Sequence, residues 1–315
     1  MRIRRTGFTI VELLVVITII GILIGMLLPA VQGARARSRV ARCANNIRQL
    51  GTAVQQYLAS QKVIPISISP WSEGANPYPQ RNGRGWIVGA LGYMESRNIQ
   101  NALESKGDFF SGGGLRDPAV KNRDALAFRI PGLACPDDGD TDATTTSHPD
   151  FPGILVAMGN YKGCIGDTRI TIGGVPSIFP GTEPDTHATN PCNGLFWRNS
   201  YQFASRWERF GDGTSNTFMI GEDVMKYNQN SVWCYANGDW ATCSIPLNYK
   251  PQTLAPYDQA NSMSFRSNHM GGANFCFADG QVKFIKDTIS HLVYRALSTR
   301  DNRKTEQIIP QESDF

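Results

Sequence analysis

From Phe8 to Leu28 the chain runs through 21 residues in which Glu12 carries the only charge, and Arg2, Arg4 and Arg5 precede them. At about 1.5 Å per residue such a helix matches the roughly 30 Å hydrocarbon core of a bilayer. Past Pro29 the pattern changes to steps of three and four: Val31, Ala34, Val40, Ala44, Ile47, Leu50 or Gly51, Val54, Tyr57 and Leu58. Arg35, Arg39, Arg42, Arg48 and Gln55 fall on the opposite side. One apolar stripe and one polar face predict that the helix continues. The expected element is a single helix from about Thr9 to Ser60, kinked at Pro29 and softened at Gly21, Gly25 and Gly33. The Pro-, Gly- and Ser-rich stretch KVIPISISPWSEGANPYPQRNGRG (62–85) ends it.

Beyond this linker the periodicity shortens. GWIVGALGYMESRNIQNALESKGD (85–108) reads as helix, with Ser96 as an N-cap, Ile99 and Leu103 inward and Gly107 at the stop. Thereafter Asn-Gly or Asp-Gly pairs stand at 82–83, 138–139, 193–194, 212–213, 237–238 and 279–280, with short apolar runs between several of them. Such pairs favour tight hairpin turns. The clearest is NHMGGANFCFADGQVKFI (268–285). A two-residue Asp279-Gly280 turn would pair Phe277 with Val282 and Phe275 with Phe284, placing all four on one face. Thr217–Glu222 reads as a strand after an Asp212-Gly213 turn. DTISHLVYRALSTRD reads as a last short helix, capped by Asp287 or Thr288, with Ile289, Leu292, Val293, Ala296 and Leu297 as its apolar face. The expected fold is α+β: a long N-terminal helix packed on a mainly antiparallel β domain with long loops.

Composition narrows the function. Charged residues make up only 18% and the net charge is +4, three units of it at Arg2, Arg4 and Arg5. No basic, aromatic-interleaved patch points to nucleic acid. The seven cysteines contain no C-x-x-C, which argues against zinc-ribbon or thioredoxin chemistry. Outside the cytosol some can pair; Cys234 with Cys243 closes the shortest loop, and connectivity is not legible from spacing. There is no G-x-S-x-G, H-E-x-x-H or phosphate-binding glycine loop, and the carboxylates are scattered. No catalytic residue is nominated, and the expectation is a protein without enzymatic activity.

The N-terminal segment is too apolar for too long, and lacks an A-x-A-like cut site, to read as a secretory signal peptide. RRTGFTIVELLVVITIIGILIGMLLPA resembles instead the signal of type IV prepilins and type II secretion pseudopilins: a short basic leader, Gly7 before Phe8, Glu12 five residues into the mature chain, and Pro29 after about twenty apolar residues. The resemblance implies that a prepilin peptidase cuts between Gly7 and Phe8 and methylates the new Phe8 amino group. It also implies that Glu12 neutralises that amino group in a neighbouring subunit. A lone carboxylate in lipid needs such a partner; the alternative is that Glu12 snorkels to the headgroups. The implied organisation is a leader at 1–7, a transmembrane and amphipathic helix at 8–61, and a β-rich extracytoplasmic domain at 62–315. The implied partners are the peptidase, the inner membrane and other pilin-like subunits, with the mature form periplasmic or at the cell surface.

A second resemblance lies in the hairpin. His269, nine residues, then Asp279-Gly280 is similar to the H-x9-D-G signature of a family of bacterial prepilin-like proteins of unknown function. CANNIRQLGTAVQQY (43–57), CPDD (135–138), NGLFWRNS (193–200) and GDGTSNTFMIGE (211–222) look like the same family. His269 is read as a structural histidine tying the Gly-Gly turn to the hairpin rather than as a metal ligand, and Asp279 as a turn residue. Asp138, Asp140 and Asp142 alternate as D-x-D-x-D, a candidate calcium loop without the glycine and distal glutamate of an EF-hand; a solvated acidic loop is the simpler reading. No other cofactor is expected. Two roles follow: a pilin-like or pseudopilin-like structural subunit, or a membrane-anchored binding module for glycan or protein that uses the signal only for export. The second would draw on exposed aromatics such as Trp197, Trp207, Trp233 or Trp240.

Overall fold

The computed structural model describes residues 9–68, 83–94, 96–104, 126–139, 144–146, 148, 151, 153–172, 175–182, 192–201, 204, 206, 211–228, 230–251 and 259–301. Its dominant element is α1 (Ile10–Gln61), 52 residues long, with Thr9 as N-cap and Pro29 inside. At about 1.5 Å per residue it is roughly 78 Å long. The two halves behave differently. Every large apolar side chain from Ile10 to Leu28 is exposed, whereas Cys43, Ile47, Leu50, Gly51, Ala53, Val54 and Leu58 are buried. The expected stripe is therefore covered by the domain only from about Val40 onward; Val31 and Ala34 stay exposed, with none of the described domain residues covering them.

The segment expected as helix holds two: α2 (Trp86–Ala90), prolonged by a 3-10 turn Leu91–Tyr93, then α3 (Arg97–Glu104). Ser96 starts α3 through its carbonyl, which accepts from the Ile99 and Gln100 amides. Ile99 packs against the main core. The Leu103 side chain and Gly107 lie outside what the structure describes.

Short strands follow: β1 (Thr144–Thr145), β2 (Val156–Ala157), β3 (Tyr161–Cys164), β4 (Thr171–Ile172), β5 (Val175–Pro176), β6 (Phe218–Glu222), β7 (Trp240–Ala241), β8 (Gly272–Phe277) and β9 (Val282–Lys286). Five of them form the central sheet in the order β7-β3-β6-β8-β9, antiparallel except for the β3–β7 pair. One face lies on the second half of α1, where Cys276, Ala278 and Ile220 join Ile47, Leu50 and Val54. Contact is close: a Cβ at Gly51 would fall inside van der Waals distance of the Cys276 sulfur. The other face is aromatic, with Phe275, Phe277, Phe218, Phe265 and Tyr294 in one cluster. Phe218 and Phe275 stack at 4.3 Å between centroids. The last helix in the described residues, following α4 (Gln259–Ser262), is α5 (His291–Ala296). It starts later than expected, with Ser290 at the cap; Val293, Tyr294 and Ala296 face inward, and Leu292 is exposed.

The β8–β9 hairpin forms, but one residue out of the expected register. Cys276 pairs with Val282, Phe275 with Lys283 and Asn274 with Phe284. The loop holds three residues, not two: the Phe277 amide donates to the Gln281 carbonyl, the Gly280 amide to the Phe277 carbonyl, and Gly280 takes φ +87°. This is the three-residue turn with glycine in the left-handed position. A one-residue slip turns over the partner strand's side chains. Hence Phe284 is partly exposed and Ile285 is buried with the aromatic face. β8 is buried on both sides, so alternation was never available there to set the register.

Candidate functional site

The turn Cys135–Asp138 is closed by the Asp138 amide donating to the Cys135 carbonyl, and it sits where α1 meets the sheet. Three contacts tie it to α1. The Asn46 amide group donates to the Ala134 carbonyl (2.9 Å), Arg39 forms an ion pair with Asp137, and Cys43 is disulfide-bonded to Cys135. The bridge thus joins residues 92 positions apart; Cys234 and Cys243 are both free and buried.

His269 enters the same place from the start of the hairpin. Its Nδ1 lies 2.8 Å from Asp137 Oδ2, and its Nε2 lies 3.4 Å from Glu222 Oε1 and 3.6 Å from the Cys135 sulfur. Glu222, at the end of β6, accepts from the Asn274 backbone amide (2.7 Å) and side-chain amide (2.9 Å). The imidazole has no exposed surface. Burial works against its charged form, but hydrogen bonds and charge from Glu222 and Asp137 prevail and raise its pKa above the ordinary histidine value. The partners of His269 are Asp137 of the CPDD turn, Glu222 and Cys135, not the Gly-Gly turn to which it was expected to be tied.

The other end of the motif is also fixed to α1. Gln55 Nε2 donates to the Ala278 carbonyl at 3.1 Å, and a Cβ at Gly280 would stand 2.8 Å from the Gln55 amide. Asp279 Oδ1 accepts the Gln281 amide (2.9 Å), and the Ala278 and Asp279 amides donate to the Thr217 and Thr214 carbonyls. The nine residues between His269 and Asp279 therefore carry β8 across α1, and each end is anchored. Four stretches singled out in the sequence meet here. Cys43, Cys135 with Asp137, Glu222 and His269 come one from each of the 43–57, 135–138, 211–222 and 268–285 segments. Sequence reasoning named only His269 among them. The ligand-type atoms of Cys43, Cys135, Glu222 and His269 all lie within 4.8 Å of one another, and all four residues are buried.

A second buried network holds β3 and β6. Arg266 and Asp223 form a fully buried pair at 3.1 Å, and Asp223 also accepts from Val224 N and Asn228 Nδ2. The Lys162 amine donates to the Gly238 carbonyl, and Asp239 accepts the Trp86 amide at 2.6 Å. Burial lowers the Lys162 pKa to about 8 and raises that of Asp239 to about 8. Neither group was flagged by its local sequence, because nothing in a short polar run says that it will be covered.

The remaining candidates divide. Glu12 caps its own helix: its carboxylate accepts the Thr9 amide (2.9 Å) and hydroxyl (2.7 Å), while its amide donates to Thr9 Oγ1 (3.3 Å), a reciprocal capping box. Gly7 and Phe8 lie outside the described residues, as do Asp140 and Asp142. Asp138 accepts from Asn160 Nδ2 and Met225 N at one oxygen and from Asn268 Nδ2 at the other. Its carboxylate ties the CPDD turn to the domain. Trp197, Trp233 and Trp240 are buried, so they offer no surface for a glycan; Trp207 lies outside the described residues.

With this geometry in hand, comparison with known proteins is decisive. The family described as a protein of unknown function, DUF1559, matches residues 32–291. The chain belongs to the DUF1559 family. Residues 2–28 of this DUF1559 protein match the prokaryotic N-terminal methylation motif. It is 38% identical over 66 residues to a fimbrial protein of Pseudomonas aeruginosa, covering 21% of this chain and 43% of that one. It is 30% identical over 102 residues to the type IV major fimbrial protein FimA of Dichelobacter nodosus, covering 32% and 57%. The chain thus spans about half the length of the curated relatives it matches. No solved structure matches it. The DUF1559 protein is accordingly a bacterial prepilin-like protein, α+β in fold, with a pilin-type N-terminal signal and a long apolar helix.

Proposed function

We propose that this DUF1559 protein is an exported pilin-like structural subunit, cut between Gly7 and Phe8, methylated at Phe8, and assembled through α1 into a filament, pseudopilus or surface structure. One observation carries the reading: the bare half of α1. Fifteen large apolar side chains between Ile10 and Leu28 are exposed. At on the order of 1 kcal/mol for each half-exposed side chain, leaving them in water costs about 15 kcal/mol, comparable to the whole stability of a domain. Lipid covers them in the precursor, and neighbouring α1 helices cover them in an assembly. The rigidly docked second half then holds the domain outward, which is a structural rather than a catalytic role. The inner membrane, a prepilin peptidase and like subunits are the partners, and the domain is extracytoplasmic.

The capping box favours a second reading. Because Thr9 gives the Glu12 carboxylate two hydrogen bonds within one chain, a solitary membrane-anchored module has an intrachain partner for it without a neighbouring subunit. Two measurements decide. Intact-mass and N-terminal sequencing of protein coexpressed with a prepilin peptidase is expected to give a chain starting at methylated Phe8; a chain that keeps Met1 removes the pathway. Glu12→Ala is then expected to leave cleavage intact and abolish cross-linkable oligomers. Unchanged cross-linking would leave the solitary anchor standing.

A further inference from the structure

The cluster under the hairpin has more chemistry than a clamp needs. Cys43 comes from α1, Cys135 from the CPDD turn, Glu222 from the end of β6 and His269 from the start of the hairpin, and their donor atoms converge within 4.8 Å. We propose that, when the Cys43–Cys135 pair is reduced, these four side chains bind one zinc-class divalent cation. The same two cysteines then close either a covalent or a metal-mediated cross-link between α1 and the domain. The inference does not depend on whether the protein assembles.

Distance is the first argument. Around a tetrahedral zinc ion, with bonds of about 2.0–2.1 Å to nitrogen or oxygen and about 2.3 Å to sulfur, nitrogen and oxygen ligands lie about 3.4 Å apart and nitrogen and sulfur about 3.6 Å apart. His269 Nε2 is 3.4 Å from Glu222 Oε1 and 3.6 Å from Cys135 Sγ. Two edges of the tetrahedron already have their length; the sulfur–sulfur edge opens once the bond between them is gone. Orientation is the second argument. Asp137 holds His269 Nδ1 at 2.8 Å, which turns Nε2 toward the cluster, and Asn274 holds Glu222 from two sides. A carboxylate behind a ligating histidine and hydrogen bonds behind a ligating carboxylate are the usual outer shell of a metal site. Donor type is the third. Two sulfurs, one imidazole and one carboxylate suit zinc or cobalt rather than calcium or magnesium, which prefer oxygen alone. All four donors are protein groups and are buried, so the site is closed, as structural zinc sites are.

The chemistry balances with an added phosphine as reductant. The disulfide takes two electrons from the phosphine and two protons from water, whose oxygen leaves as phosphine oxide. Binding the cation then releases the two thiol protons and the proton that His269 Nε2 shares with Glu222.

The test uses the full chain in detergent micelles, reduced with a phosphine, freed of reductant without air, and titrated with cobalt(II) alone. The expected result is one equivalent bound, with a near-ultraviolet thiolate-to-cobalt band, tetrahedral visible bands, and displacement by zinc. The oxidised chain is expected to show none of these. Cys43→Ser and Cys135→Ser should each lose much of the thiolate band. Asp137→Asn, which touches no donor atom to the cation, should keep the one-to-one stoichiometry and weaken binding about 10- to 100-fold. Two results overturn the proposal: a reduced wild-type chain without the thiolate band, or a band unchanged in both cysteine variants. The second would place cobalt elsewhere, for instance at the buried free cysteines. The contrast between reduced and oxidised wild type, which share the free cysteines and differ at the Cys43–Cys135 pair, decides the matter even if a variant fails to fold.

Discussion

Replacing Cys43 and Cys135 together by serine probes how much the domain depends on being stapled to α1. The two residues are 92 positions apart, and the intervening chain includes the second half of α1, α2 and α3. In the loop-closure picture, a cross-link over that length removes about 4 to 5 kcal/mol of conformational freedom from the unfolded chain. Whole-domain stabilities are about 5–15 kcal/mol, so the variant should keep its fold while losing a large part of its margin. The assay is urea denaturation of the oxidised wild type and the variant under identical detergent conditions. Tryptophan fluorescence is the signal, since Trp86 and Trp233 are buried. With a slope of about 3 kcal/mol per molar for a domain of this size, the midpoint should fall by about 1.5 M. Reduced wild type, kept free of metal, should match the variant. A fall under about 0.3 M, worth about 1 kcal/mol, would refute the reasoning. It would mean that the unfolded chain is already held compact over this segment or that the bridge is strained in the fold.

Two further outcomes follow from the buried polar groups and the turn. Asp239 holds its proton in the fold up to about pH 8 and gives it up near pH 4 when unfolded, so its contribution is complete below about pH 4 and is lost as pH rises toward 8. Asp239→Asn keeps an acceptor for the Trp86 amide and removes this titration. The melting temperature of wild type minus variant should therefore fall steadily between pH 4.5 and 7.5, by at most about 1.4 kcal/mol of stability per pH unit; a flat difference means Asp239 is ionised in the fold. Gly280→Val places a β-branched residue at φ +87° with its Cβ against Gln55, and should destabilise by about 1–3 kcal/mol. Gly280→Asn, better tolerated in the left-handed region, should recover part of that loss, and equal losses would show that steric contact rather than backbone strain sets the effect.

What the amino-acid sequence determined by itself is what short-range pattern can carry. An apolar run of membrane length followed by a 3.6-residue stripe is a helix in any context, and α1 begins and ends within one residue of expectation. Thr9 and Glu12 stand three apart, the spacing a capping box needs, and Asp279-Gly280 marks the hairpin's turn. The export signal is likewise a contiguous string. The tertiary structure decided everything that depends on burial or on distant residues meeting. The hairpin register slipped by one because β8 is covered on both faces, so the closure of the turn, not alternation, fixed the pairing. Ser96 was legible as the start of α3, whereas the separate short helix α2 before it was not. The cysteine pairing, the hydrogen-bond partners of Lys162 and Asp239, and the convergence of Cys43, Cys135, Glu222 and His269 join segments that the chain separates by tens of residues. Local preference places each donor on its own element; only the packing of α1 against the sheet brings them to one point.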